Sequence, residues 1–362
     1  MLKLEARPEP SKLMSYLSPL IAVALTLASG FVFSAALGMN PFDTFHAFFI
    51  APIDDLYGLG ELGVKAAPLM LVAVGLAIGF RSNVWNIGAE GQLTFGAICG
   101  GGLALYFHES SSALLLPGMI VLGAIGGMLW ASIPAFLRTR FNTSEILVSL
   151  MLNYVAVLVL SYLVHGPWRD PEGFNFPESR LFPDAGTLPI ILTDTRLHFG
   201  LLIALAAVVL GWVFVRKSFV GYQMRVAGLA EFAALYAGFN RKRMVWIGLL
   251  VGGGAAGIAG LCEVAGPIGQ LLPSVSPGYG YAAIIVAFVG RLHPVGILFA
   301  SLLMSLLYLG GETAQMELGL PSAITGVFQG VLLFYLLAAD LFINFRVRGT
   351  KAATPALPGV AS

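Results

Sequence analysis

Long apolar runs separated by short polar punctuation dominate the chain. A membrane-spanning helix needs about 20 mainly apolar residues, within a range of roughly 17 to 25. On that measure the pattern predicts ten helices: 16–38, 61–80, 87–107, 113–137, 145–164, 196–215, 244–264, a short one at 279–290, 295–311 and 322–343. The first lies inside an uncharged run from Leu13 to Phe42. That run exceeds the 7–15-residue apolar core of a signal peptide, so it is expected to be retained as a span. The fold class expected is all-α: a polytopic membrane protein of about ten transmembrane helices, forming a single domain over residues 1–362.

Ten crossings put both termini on the same side, and charge sets which side. With the termini in the cytoplasm, the inner segments carry Lys3, Arg7, Lys12, Arg81, Arg138, Arg140, Arg216, Lys217, Arg225, Arg241, Lys242, Arg243, Arg291, Arg346, Arg348 and Lys351. The outer segments carry only Lys65, Arg169, Arg180 and Arg196. Missing one helix would invert every later loop and destroy this skew. The charge skew therefore makes 216–243 a cytoplasmic loop and 165–195 an extracytoplasmic one.

Composition agrees with that picture and removes other functions. Hydrophobic residues make up 57% of the chain and charged residues 11%, against about 25% charged in soluble domains. Mean hydropathy is +0.85. A soluble enzyme, a disordered chain and a nucleic-acid reader are excluded, and a net charge of +1 implies no polyanionic partner. Cys99 and Cys262 lie in apolar runs and read as small buried hydrophobes. None of the six lysines follows a glycine, so there is no P-loop. His46, His108, His165, His198 and His293 are scattered without metal-ligand spacing, and neither a metal nor a cofactor is expected. Few ionisable groups fall deep in any span, whereas ion-coupled carriers and proton pumps mark themselves by such groups. A neutral, hydrogen-bonding cargo fits better.

Glycine supplies packing. Pairs at four-residue spacing recur inside spans, as in Gly75 and Gly79, Gly96 and Gly100, Gly123 and Gly127, Gly248 and Gly252, and Gly253 and Gly257. Small residues at that spacing let helices approach closely in lipid. On the 244–264 helix, Gly253, Gly257 and Gly260 form either an internal packing face or a dimerisation face.

Two interruptions carry candidate chemistry. The segment 80–92, FRSNVWNIGAEGQ, places two asparagines, a glutamine, a tryptophan and both charge signs between apolar runs. Irregular polar backbone at membrane depth is tolerated where it lines a cavity, and transporters place binding groups at such breaks. Asn83, Trp85, Asn86 and Gln92, with Asn153 on the 145–164 helix, are the candidate substrate-pathway residues; a plain hairpin or interhelical glue is the alternative. The second interruption, 265–278, holds Pro267, Pro273 and Pro277 with Gly266, Gly269 and Gly278, which forbid a continuous helix.

In the basic loop, Gly228, Leu229, Glu231, Phe232, Ala233, Tyr236 and Gly238 mark a short amphipathic helix. Leu229, Phe232, Ala233 and Tyr236 follow i, i+3, i+4, i+7 between two glycines. Such a helix fits a partner's groove or an anionic lipid surface.

The segment 79–92 (GFRSNVWNIGAEGQ), the loop 228–240 (GLAEFAALYAGFN) and 143–154 (TSEILVSLMLNY) together resemble permease subunits of ABC importers. The likeness is to the nucleoside and simple-sugar branch of the family that includes ribose and branched-chain amino acid permeases. It covers nearly the whole chain. Ala230-Glu231 and Phe239 depart from the Asn-Pro and Ile more usual there. The resemblance implies a non-enzymatic transport subunit, with ATP hydrolysed by a separate cassette ATPase docked on the 228–238 helix. It also implies a second permease chain, usually a different homologue, and an extracytoplasmic substrate-binding protein. The cargo ranking is nucleoside, then a simple sugar such as ribose; a stand-alone carrier or channel is the competing class.

Overall fold

The computed structural model describes residues 2–7 and 11–349; Lys351, counted above among the inner basic residues, lies outside them. The elements are almost entirely helical and form two compact units. One comprises residues up to Thr44 together with those from Gly326 onward, and the other runs from Phe45 to Thr325.

In the first unit, strand β1 (Leu2–Ala6) leads to helix α1 (Lys12–Ala36), and strand β2 (Phe345–Gly349) closes the described chain. Ser11 caps α1 by accepting from the Met14 amide. β1 and β2 pair antiparallel, Leu2 opposite Gly349 and Ala6 opposite Phe345. Arg346 bonds Glu5 at 3.0 Å across the ladder. Ser29 and Tyr335 share a hydroxyl hydrogen bond of 2.6 Å. This pairing of the two chain ends was not predicted from the sequence, because nothing local encodes a partner more than 300 residues away.

The chain passes through α2 (Pro41–Phe49) into the second unit, which holds α3 (Leu56–Phe80), α4 (Ala89–Tyr106), α5 (Leu115–Phe141), α6 (Glu145–His165), α7 (Gly200–Lys217), α8 (Phe219–Leu229), α9 (Glu231–Tyr236), α10 (Arg241–Glu263), α11 (Tyr279–Val289) and α12 (Pro294–Leu318). A final helix, α13 (Ala323–Asn344), begins there and leads into β2. Helix starts carry the expected caps: Asp55 accepts from the Gly58 amide, Ser218 from Gly221 and Asn240 from Arg243, each satisfying an orphan donor of a first turn.

α3 is the core: 19 of its 25 residues are buried, on every side. α10, α7, α11 and α12 pack around it, and α4 and α5 complete the layer on α10. Peripheral helices bury one stripe instead. On α6 the buried positions are 145, 149, 153, 156, 160 and 164, a spacing that stays on one helical face. Leu147, Met151, Tyr154, Leu158 and Tyr162 face outward.

The glycine pairs act inside the chain. A Cβ at Gly257 would collide with the Gly123 carbonyl, one at Gly253 would sit 2.5 Å from the Gly127 carbonyl, and one at Gly260 would collide with the Leu93 carbonyl. The α10 glycine face is therefore spent on α4 and α5, and dimerisation through it is ruled out by occupancy. Backbone contact this close is what small residues provide where no hydrophobic force drives helices together.

Among the described residues, eight helices are long and apolar enough to cross a membrane: those beginning at Leu17, Leu56, Leu115, Glu145, Gly200, Arg241, Pro294 and Ala323. All ten predicted runs are helical, but two fall short of that standard. α4 has 18 residues diluted by Glu90, Gln92 and five glycines. α11 has 11 residues, about 16 Å at 1.5 Å per residue, half of a hydrocarbon core of about 30 Å.

One element departs from its prediction. The amphipathic helix expected over 228–238 is broken at Ala230, whose backbone (φ −150°, ψ 81°) is non-helical. Leu229 ends α8 and Glu231 starts the separate α9. The heptad spacing was present, but the α8 end is fixed by packing elsewhere: a Cβ on Gly228 would strike the Arg81 carbonyl.

Candidate functional site

The first break, residues 81–88, joins α3 to α4 as irregular chain buried at Ser82, Val84, Asn86 and Gly88. Its shape is set by side-chain amides. Asn86 and Gln92 bond reciprocally: Asn86 Nδ2 donates to Gln92 Oε1 at 2.8 Å and Gln92 Nε2 to Asn86 Oδ1 at 3.0 Å. Asn86 Oδ1 also accepts from the Gly88 amide at 3.1 Å. Asn153 reaches over from α6, accepting from the Gly91 amide at 2.9 Å and donating to the Ile87 carbonyl and the Tyr281 hydroxyl at 3.0 and 2.9 Å. All three amides are at most 2% exposed. Every bond matters here, because a buried polar group without a partner is costly.

Of the five candidate pathway residues, Asn86, Gln92 and Asn153 thus form one strap. Trp85 is half-buried, with its ring 5.1 Å from Phe80 and 5.8 Å from Phe288, and Phe80 stacks on Phe288 at 5.5 Å. Asn83 stands apart. It is exposed, takes a left-handed backbone (φ +55°) that asparagine tolerates better than most residues, and donates from Nδ2 to the Gly228 carbonyl at 3.0 Å.

The second break meets the first. After α10 the chain makes a π turn over Val264–Ile268, then runs irregularly to Gly278, where φ of +98° starts α11. Glu90, at the start of α4, accepts from the Gly280 amide through Oε2 at 2.7 Å. Glu90 thereby supplies an acceptor to one of the otherwise unpaired amides in the first turn of α11. Asn153 holds the neighbouring Tyr281 hydroxyl. Two segments nearly 200 residues apart are therefore joined at one point in the bundle.

On the basic side, the break is tied to the α8–α9 hairpin. Arg81 donates twice to the Leu292 carbonyl, at 3.1 and 2.8 Å. The Trp85 amide donates to Glu145 at 3.3 Å, and Glu145, 3% exposed, pairs with Arg138. Glu231 pairs with Arg241. Asn83, Arg138, Glu231 and Arg241 line a common cavity of about 40 Å³. Beyond it, Leu229, Phe232 and Tyr236 are 78, 88 and 97% exposed. Ala233 and Gly238 are exposed too, while Ala234 turns inward.

Sequence reasoning missed the carboxylates. Glu61, Glu90, Glu145 and Glu263 are all buried, each within six residues of a helix end. Glu61 is held by Arg196 at 2.8 and 2.5 Å, and this pairing raises the arginine's affinity for its proton. Both line a cavity of about 420 Å³ with Asp54, Tyr57 and Glu312. An acid at the first or last turn of an apolar run was the available signal. His198, 2% exposed, accepts from the Gly200 amide through Nδ1 at 3.1 Å. Its Nε2 has no partner, and burial pushes its pKa down to about 4. Among the described residues no cluster of His, Cys, Asp or Glu could hold a metal ion.

Comparison with known proteins places this geometry. The family described as branched-chain amino acid transport system / permease component matches residues 59–337. The glucose ABC transporter permease protein TsgB13 of Haloferax volcanii is 34% identical over 99% of this chain and 98% of its own. The guanosine ABC transporter permease protein NupP of Bacillus subtilis is 28% identical over 92% and 96%, and the nucleoside ABC transporter permease protein NupB of Lactococcus lactis 27% over 94% and 96%. A bundle built on buried glycine faces, interrupted twice where the interruptions meet, and bearing no nucleotide loop, belongs to this family: the chain is a permease subunit of the ABC importers, a transport component and not an enzyme.

Proposed function

We propose that the chain forms one half of the translocation path for a small neutral hydroxylated solute, as a single permease domain in the plasma membrane of a prokaryote. Its cargo is a nucleoside in the first reading. The observation that carries it is the meeting of the two breaks at Glu90, Asn153 and Tyr281, with a Trp85–Phe80–Phe288 stack at the other end of α11. A flat base suits aromatic faces, with stacking worth about 1–3 kcal/mol per base in other settings. Four relatives named for nucleoside or guanosine transport support it. The second reading is a simple sugar, favoured by the greater identity to a permease named for glucose.

The assembly proposed is a cassette ATPase on the exposed faces of α8 and α9, a second homologous permease chain, and an extracytoplasmic substrate-binding protein. Asn83, bonded to the Gly228 carbonyl, carries movement of the α8–α9 hairpin into the first break. Both termini are cytoplasmic and the chain crosses ten times, with α4 and α11 as the two short crossings. The pairing of β1 with β2 supports a common side for the termini, and the charge skew chooses the cytoplasm.

The test is uptake of labelled guanosine, ribose, glucose and leucine by cells carrying the complete transporter. Saturable guanosine uptake that disappears on deleting the cassette gene is expected. Sugar uptake without nucleoside uptake moves the assignment to the second reading, and uptake independent of the cassette refutes both.

A further inference from the structure

Beside the buried strap stand two phenols that the fold leaves open. Asn153 turns inward from α6, and the next residue, Tyr154, turns outward with 62% of its surface exposed. On α11 every residue but one is buried or half-buried, and the exception is Tyr281, 40% exposed. The two rings belong to one patch. Asn153 Nδ2 donates to the Tyr281 hydroxyl at 2.9 Å, and Tyr281 lies within electrostatic reach of Tyr154 and Glu90.

Their depth is unusual for tyrosine. Tyr154 stands nine residues after Glu145 and eleven before His165, about 14 and 17 Å along the helix at 1.5 Å per residue. That is the middle of a hydrocarbon core of about 30 Å. Tyr281, near the start of the half-length α11, is held at the same depth by its bond to Asn153. Tyrosines exposed on a membrane protein gather at the lipid–water interface, and Tyr162, 70% exposed near the His165 end of α6, fits that rule. At mid-depth lipid offers a phenol no acceptor, and polar groups there face a pathway or a bundle interior.

Both hydroxyls have a proton to give. Among the described residues the Tyr154 hydroxyl makes no hydrogen bond. The Tyr281 oxygen accepts from Asn153, which leaves its own O–H free to donate. The neighbouring carboxylate, Glu90, is engaged by the Gly280 amide. An apolar helix of another chain packed here would leave both donors unpaired, at the cost of burying them unsatisfied. A solute with a carbonyl, ring nitrogen or hydroxyl would take both.

We infer that Tyr154 and Tyr281 are the residues of this chain that touch the cargo at mid-depth, their rings against its flat face and their hydroxyls donating to its acceptors. Asn153 is then a positioning residue that fixes Tyr281. The inference rests on the importer reading above and deepens it. The cargo it fits is a nucleoside, whose base supplies both a π face and acceptors; a sugar engages only the hydroxyls.

The experiment measures uptake of labelled guanosine by cells carrying the complete transporter, with a thermal melt and subunit co-purification of the purified complex. Tyr154→Phe removes one oxygen that has no partner inside the protein, so the variant should melt with wild type and keep its second permease and cassette. Its maximal uptake rate should nonetheless fall about fivefold or more, and that of Tyr154→Leu, which loses the ring as well, further. A wild-type rate in Tyr154→Phe overturns the inference, as does an equal loss in Tyr162→Phe at the interface. Loss of the second permease from the Tyr154→Phe complex assigns the phenol to a contact between chains and also overturns it. Photolabelling supplies a second readout. Irradiation of the complex with 8-azidoguanosine should modify the peptides that hold Tyr154 or Tyr281, with excess guanosine protecting them; label confined to other segments overturns the inference. Sugar uptake without guanosine uptake by the wild type overturns the nucleoside fit, whereas uptake independent of the cassette refutes the importer reading itself, which separates the two failures.

Discussion

Asn153→Ala separates a strap from a substrate-binding group. The side chain is 2% exposed and makes three hydrogen bonds, to the Gly91 amide, the Ile87 carbonyl and the Tyr281 hydroxyl. Interhelical hydrogen bonds in membrane proteins average about 0.6 kcal/mol, with a maximum of about 1.7. Three therefore contribute about 2 kcal/mol, rising towards about 5 if each is near the maximum. The upper figure has a physical basis: Gly91 and Ile87 flank an irregular turn and have no helical partner to fall back on, so each pays for desolvation. At about 2–4 °C per kcal/mol for a larger domain, the variant should melt roughly 4–20 °C below wild type. The assay is a thermal melt of the purified permease in detergent, without cargo, followed by tryptophan fluorescence or retention of monodispersity. Asn83→Gly is the control, because glycine keeps the left-handed backbone (φ +55°) without strain. Its single bond reaches an exposed carbonyl, so its midpoint should lie within about 2 °C of wild type. If Asn153→Ala melts with wild type yet loses uptake, the amide contacts cargo and the strap argument is wrong.

The remaining expectations concern coupling, topology and pH. Phe232→Asp should leave membrane insertion intact but abolish co-purification of the cassette ATPase, because burying such a ring is worth about 1.5–3 kcal/mol; retained association refutes docking on α9. A cysteine placed at Asp184 should react with an impermeant maleimide in intact cells while one at Ala237 reacts only after permeabilisation, and the reverse pattern refutes cytoplasmic termini. His198 has its pKa lowered from 6.5 to about 4 in the fold. The unfolded chain therefore takes up a proton that the native state refuses as pH falls from 6.5 to 4. Stability contributed by the neutral imidazole is present above pH 6.5 and falls over that window, by up to about 3 kcal/mol at 1.4 kcal/mol per unit. His198→Gln should flatten the dependence of melting temperature on pH there, and an unchanged slope refutes the assignment.

The sequence by itself determined the helices. Apolar length and the scarcity of charge located all ten predicted runs, because a helix in lipid must satisfy its own backbone and so announces itself locally, although α3 starts five residues earlier and α12 runs seven residues further than expected. It also determined where the regular pattern fails, at 81–88 and 265–278, since proline, glycine and polar clusters act on the backbone at their own positions. The coupling hairpin was half legible. Its i, i+3, i+4, i+7 spacing was visible, but the break at Ala230 was not, because it comes from Gly228 lying against Arg81, a contact across nearly 150 residues. Tertiary structure alone decided what the polar groups do. Asn86, Gln92 and Asn153 looked free to bind cargo, but the fold turns Asn86 and Gln92 on each other and Asn153 on the Gly91 amide, the Ile87 carbonyl and the Tyr281 hydroxyl. Gly253, Gly257 and Gly260 looked equally suited to a partner chain, and the fold spends them on α4 and α5. A residue type states which bonds it can make; only the packing of distant segments states which partner arrives within 3 Å, and in a bundle that partner excludes the others.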